Sequence, residues 1–310
     1  MSYLKGGDDV YPNKIRVIEI GPSKGFQSLT EFIPTELKMS VIEGILDAGI
    51  SQVEVAAFVS SKLSPQMSDS GAILKMAISK YSSARCRVLA KNITRAREAA
   101  AKGAELINFE ISASHVHNKM NTNLTIQESF EMLRRFQQEY PSCTVHLSIP
   151  TSFNCPYLGQ LSQDQAMKVV EEGAKAGITN ITLCDTLGLA GPSEVGNLVM
   201  WLQQFPQIQF SMHFHDTHGL ALANTLVAMQ QGIDSFETSI GGLGKCPFTP
   251  GAVGNTATED LLYMLDKMEI ATGVDLEKYR NVLAIVKKHF SCRLTGRTVY
   301  TGSLVSEKKI

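Results

Sequence analysis

The chain has no excess of charge of either sign. Its 29 Lys and Arg stand against 30 Asp and Glu, a formal net charge of −1. That excludes the electrostatic footprint of a nucleic-acid binder or a membrane-surface protein. No apolar run approaches the roughly 20 residues needed to span a bilayer. The opening MSYLKGGDDVYPNK lacks an apolar core and carries aspartates, so it reads neither as a secretory signal nor as a transit peptide. The cysteines at 86, 143, 155, 184, 246 and 292 form no CxxC pair. This argues against a disulfide framework or a structural zinc site, and a cytoplasmic setting is the natural expectation. A Pro/Gly-rich linker and a GxGxxG after the first strand are also missing, so a Rossmann-type sheet is the runner-up architecture.

What is present is an alternation of short strand-like and amphipathic runs. Strands are expected at 15–21, 52–58, 86–90, 106–112, 144–151, 180–186, 210–217 and 235–242. Helical runs such as 35–48, 126–139, 163–176 and 220–231 lie between them, and Gly49, Gly103, Gly177 and Gly232 stand at helix ends. Eight βα repeats in a chain that is 44% apolar predict an α/β fold, a single (β/α)8 TIM barrel. A further helix is expected at 275–290. The division is a 1–14 extension, a barrel over 15–275, and a C-terminal helix and tail over 276–310 that cover the barrel or an oligomer interface. Several strands pair an apolar face with a polar one: Asn108, Glu110 and Ser112; His146 and Ser148; Ser235, Glu237 and Ser239. Helices cover a barrel's outside, so the polar faces belong inside, as a hydrogen-bonded site or as a structural network.

The densest chemistry lies between 213 and 255. His213 and His215 are two apart on a strand-like run, so both imidazoles share a face. Such a pair can hold a divalent metal; the bland alternative is two core histidines. Cys246 sits in a glycine-rich loop beside Lys245, where a neighbouring cation favours the thiolate. His218 reads as a capping or surface residue. The run HVHNK at 115–119 reads as a loop, substrate-facing or merely polar. The other cysteines read as structural.

Six motifs then carry a resemblance: EIGPSKGFQ (19–27), VEVAAFVSSKLSPQMSD (53–69), CPYLG (155–159), CDTLGLAGP (184–192), HFHDTHGLALANTLVAM (213–229) and GGLGKCPFTPGAVGNTATEDLLYML (241–265). Together they are similar to the 3-hydroxy-3-methylglutaryl-CoA lyase family of the DRE-TIM metallolyase superfamily. The resemblance implies a carbon–carbon lyase, or the reverse condensation, acting on a small-molecule substrate such as a CoA thioester, and a homodimer. It implies a divalent metal on His213, His215 and Asn255, catalytic roles for Cys246 and Asp185, and a Glu54 that supports a first-strand arginine. Ser23, Gln27, Gly244 and Lys245 fall in substrate-binding stretches.

The first-strand motif departs from the family's G-P-R-D-G-L-Q. Ser23 stands where the family has its arginine, and Lys24 where it has the metal-binding aspartate. An ammonium ~4 Å from a dication is repelled by roughly 8 kcal/mol at an effective dielectric of 20. Weak or absent metal binding is therefore expected unless Lys24 turns away. Lys24 is then a cationic electrophile filling the metal's volume near the imidazoles, a Schiff-base former, or a bystander. In a reading from another class, the barrel is catalytically inactive and serves as a binding or regulatory protein.

Overall fold

The computed structural model describes residues 10–62, 64–244 and 254–301. Eight parallel strands close into a barrel: β1 (Arg16–Glu19), β2 (Gln52–Phe58), β3 (Cys86–Ala90), β4 (Leu106–Glu110), β5 (Thr144–Ile149), β6 (Asn180–Asp185), β7 (Gln209–Phe214) and β8 (Ser235–Thr238). β1 closes the ring on β8, in a register that pairs Arg16 with Ser235 and Glu19 with Thr238. A two-stranded hairpin (Asn154–Cys155 with Gly159–Gln160) projects after β5.

The surrounding helices are α1 (Thr35–Asp47), α2 (Ser70–Lys80), α3 (Ile93–Ala101), α4 (His115–Thr122), α5 (Ile126–Glu139), α6 (Gln163–Lys175), α7 (Pro192–Leu202), α8 (Ala221–Gln230), α9 (Thr258–Lys267) and α10 (Leu276–His289). Several of their starts follow capping chemistry. Asn92 accepts from the Arg95 amide, and Thr125 and Glu128 form a reciprocal box. The four helix-end glycines all take positive φ, a region costly for a residue with a Cβ.

Strands 2 and 3 have the expected bounds, but the other six stop short, three of them where the chain takes up a different geometry. Residues 21–25 wind into a π turn, 240–242 into a 3-10 turn, and His215 bridges Asn255 instead of extending β7. The cause is tertiary pairing that the local pattern does not encode. The run at 115–119 also departs from expectation: it opens α4, capped by the Ser114 hydroxyl, which accepts from the His117 amide.

Apolar side chains fill the layer between strands and helices, among them Val17, Val53, Ile107, Leu147, Ile181 and Met212, all buried. The barrel interior is polar. Asn108 donates to Glu54 and accepts from Ser148; His146 contacts Thr182, which donates to Glu237; Ser211 donates to Ser235. Arg87 of β3 lies at the centre, fully buried, with Nε 2.9 Å from Glu54 and an Nη 2.7 Å from Glu237. Of the two sequence readings of these faces, the lower barrel is the structural network.

Around the rim, Asp260 accepts from the Arg297 and Thr298 amides and so ties down the C-terminal segment. Its neighbour Glu259 accepts from the Gly241 amide at 3.0 Å with one oxygen, while the other is buried without a partner among the described residues. Burial pushes the Glu259 carboxyl up to about 8 from an ordinary 4.5, against the pull of that amide. The folded state thus keeps a proton that the unfolded chain has lost, and stability falls as pH rises from about 4.5 to about 8. Glu259→Gln, which mimics the protonated acid, should be close to neutral at pH 4.5 and stabilising by roughly 2–4 kcal/mol at pH 9. Urea titrations at both pH values check this, and an effect independent of pH would sink it.

Candidate active site

Four hydrogen bonds to one carboxylate fix the start of the site. Glu19, at the end of β1, accepts from the Gly21 and Ile240 amides at 2.8 Å, from the Thr258 hydroxyl at 2.7 Å and from the Tyr279 hydroxyl at 2.8 Å. The π turn begins from this anchor, and the Lys24 amide donates to the Ile20 carbonyl at 2.9 Å. The Lys24 backbone is therefore held at the barrel mouth.

The Lys24 side chain enters a cavity of about 170 Å³ at the C-terminal ends of the strands, shared with His213, His215, Gly244 and Asn255. Its ammonium lies 2.9 Å from Oε1 of Glu110, the last residue of β4. Burial works against the ammonium's charge, but Glu110 first, with Glu54 and Glu237 behind it, raises the pKa above the ordinary lysine value. Glu110 is held down to about 2: burial opposes its charge, and Lys24 and Lys91 outweigh burial. Asn121 donates to the second Glu110 oxygen at 3.5 Å and accepts from Lys91 at 3.2 Å.

The opposite wall belongs to β7. The rings of His213 and His215 lie 5.3 Å apart on one face, as alternation predicts. His213 sets Nδ1 3.0 Å from Glu237 and Nε2 2.8 Å from the Asn255 side-chain oxygen. The Asn255 amide is oriented by its own donation to the Leu243 carbonyl at 2.6 Å. His215 Nδ1 is buried without a partner among the described residues, and burial, then His213 and Lys24, keep that ring neutral. Burial also opposes the charge on Glu237, but Arg87 and His213 hold its carboxyl well below the usual range.

These residues do not fit the divalent ion that the family resemblance implies. His213, His215 and Asn255 bring no carboxylate, whereas a hard cation relies on carboxylates. Among the described residues no group of three or more His, Cys, Asp or Glu side chains converges as a ligand set. The position of the missing aspartate is instead occupied by an ammonium that points into the same cavity.

Other expected site residues fall elsewhere. Asp185 is fully buried and commits its carboxylate to the Gly188, Leu189 and Ala190 amides at 3.1–3.2 Å, which shapes the loop into α7. Burial raises its pKa to about 6 against those amides, yet it does not line the cavity. Glu54 supports an arginine, but it is Arg87 from β3 and not a first-strand residue. The Ser23 hydroxyl is buried without a partner among the described residues and Gln27 donates to Ser64; neither lines the cavity. Gly244 does line it, with φ +111 and so close to Asn255 that a Cβ would collide with the amide. Cys246 and Lys245 lie outside the described residues.

Glu110, from a polar strand face, and His117, from the run read as substrate-facing or merely polar, line the cavity, as does Cys184, expected to be structural. Burial pushes the Cys184 thiol up, so it stays protonated. A signal for Glu110 was present: a carboxylate-to-lysine change inside a barrel calls for a counter-charge, and Glu110 was on the polar face of β4.

A family model described as HMGL-like matches residues 14–286. The chain is 36% identical over 270 residues to the mitochondrial hydroxymethylglutaryl-CoA lyase of Rattus norvegicus, covering 86% of this chain and 83% of that one. It is 34% identical over 292 residues to a hydroxymethylglutaryl-CoA lyase of Bacillus subtilis, covering 93% and 97%. Among solved structures, an HMG-CoA lyase from Acinetobacter baumannii in complex with coenzyme A and 3-methylmalate superimposes with a TM-score of 0.89 at 31% identity, over 95% of this chain and 97% of that one. With the barrel, the mouth-end cavity and these matches together, the chain belongs to the hydroxymethylglutaryl-CoA lyase family.

Proposed function

We propose that this barrel is a carbon–carbon lyase that cleaves a 3-hydroxyacyl-CoA or related substrate by a retro-aldol step, with the Lys24 ammonium as its electrophile. The carrying observation is the Lys24–Glu110 ion pair in the cavity, across from His213 and His215. A base takes the proton of the 3-hydroxyl, the C2–C3 bond breaks, and its electron pair moves onto the thioester oxygen as an enolate. The enolate is then protonated at C2. Lys24 donates to the oxygen where negative charge develops, the service a preorganised cation performs best in a partly dehydrated site. His215, a neutral ring in the cavity wall, is the base favoured here over Asp185, whose carboxylate is committed to backbone amides, and over His213, whose two ring nitrogens both face oxygens. Cys246, on the family resemblance, is the proton donor to C2.

A lysine held protonated by a carboxylate is a poor amine nucleophile, which favours the ammonium over a Schiff base. The bound coenzyme A and 3-methylmalate of the Acinetobacter relative support an acyl-CoA-related substrate. The test is cleavage of 3-hydroxy-3-methylglutaryl-CoA and other 3-hydroxyacyl-CoA esters in Mg²⁺, Mn²⁺ or EDTA, with borohydride trapping alongside. Cleavage of at least one ester at a rate EDTA changes by less than about twofold, with no trapped adduct, is expected from a resident donor. Turnover only after stoichiometric metal uptake would overturn the role of Lys24. No turnover of any ester would favour the inactive barrel.

A further inference from the structure

We propose that Glu110 determines specificity: it commits the Lys24 charge and turns away substrates with a free carboxylate at the reacting end, in favour of uncharged 3-hydroxyacyl groups. The observation is the charge inventory around the cavity. Among the described residues, Arg87 is paired with Glu54 and Glu237, and the Lys24 ammonium with Glu110, so the cation that enters the cavity is already balanced. The Lys24 ammonium has Glu110 at 2.9 Å, and their side chains are only 20% and 11% exposed, so solvent screens the pair weakly. A dication held by one carboxylate would leave a net positive centre that attracts an anion. An ammonium already neutralised by a carboxylate does not, and its partner repels a second carboxylate that approaches within a few ångströms.

A hydroxyl and a thioester carbonyl carry no such penalty. The carbonyl oxygen accepts from Lys24, and the hydroxyl donates to the base, so neither brings a second negative charge to Glu110. Glu110 is itself steadied from behind by Asn121 and Lys91, so it does not swing away without breaking that contact. The uncharged counterpart of 3-hydroxy-3-methylglutaryl-CoA is 3-hydroxy-3-methylbutyryl-CoA. Its retro-aldol cleavage balances as acetone and acetyl-CoA: the hydroxyl proton leaves to the base, the C2–C3 pair becomes the enolate, and C2 gains a proton.

The kinetic form of this inference rests on the lyase reading, but its binding form does not. The experiment measures kcat/KM, and separately Kd by calorimetry, for these two esters with the full chain and with Glu110→Gln and Glu110→Ala. The wild type is expected to prefer the uncharged ester by about tenfold or more, and both variants to shift the ratio toward the carboxylate ester by about tenfold or more. A wild-type preference for the carboxylate ester, or a ratio that both variants leave within about twofold, overturns the proposal. If neither ester is cleaved, the lyase reading fails while the Kd ratios still decide the role of Glu110. If the single variants do not fold, Lys24→Met/Glu110→Gln removes both charges together, and its ratio is read against the same limits.

Discussion

Lys24→Met is expected to lower kcat/KM for the cleaved ester by about 10³-fold, the upper end of what removing one preorganised donor costs. The variant also leaves Glu110 without its ammonium, and a partly buried carboxylate that loses its partner is destabilising in its own right. Lys24→Met/Glu110→Gln separates the two effects. If activity returns with the double variant, the loss belonged to an unpaired carboxylate and Lys24 is not the electrophile. If the double variant stays as impaired as the single one while its thermal midpoint recovers, the ammonium is the missing group. The Ser23→Arg/Lys24→Asp exchange provides the complement. It sets a second carboxylate beside Glu110 and the two imidazoles, a donor set suited to a divalent ion, and Mn²⁺ uptake by that variant alone is the expected outcome.

The largest effect on stability is expected from Arg87→Met. The guanidinium is completely buried, with Glu54 2.9 Å and Glu237 2.7 Å away. Its removal confronts two buried carboxylates with no cation between them. Breaking a buried pair by deleting one partner costs about 3–5 kcal/mol, and here two partners are stranded. Guanidinium chloride titrations should show a loss of that size or failure to fold. Arg87→Met/Glu54→Gln/Glu237→Gln should recover most of it. If the single variant is within about 1 kcal/mol of wild type, the central ion cluster is not what holds the interior together.

The fold was legible in the sequence because its signals are local. Two-residue alternation marks a strand such as 106–110, and the glycines at 49, 103, 177 and 232 mark helix ends. Strand ends were not legible, because Gly21–Gly25, 240–242 and His215 take geometry dictated by distant partners: Tyr279 through Glu19, and Asn255 across the loop. The site was legible where a motif fixes a residue, as at Lys24, His213 and Asn255. It was opaque where function depends on a pair. Glu110 and Arg87 are ordinary residues in their own segments, and only barrel closure brings them against Lys24 and Glu54. The amides that hold the Asp185 carboxylate were equally invisible, because its own strand does not contain them.

The polar filling of the barrel reaches beyond chemistry, to temperature. Unfolding usually raises heat capacity because apolar surface meets water, whereas newly exposed polar surface lowers it. Here the inner layer that would be exposed is Arg87, Glu54, Glu237, Asn108, Ser148, Thr182 and Ser211 in place of branched aliphatics. The stability curve of this barrel is therefore flatter than that of a barrel of equal length packed with valine and isoleucine. It loses less on cooling, and the dehydration penalty of its ion cluster shrinks as temperature rises.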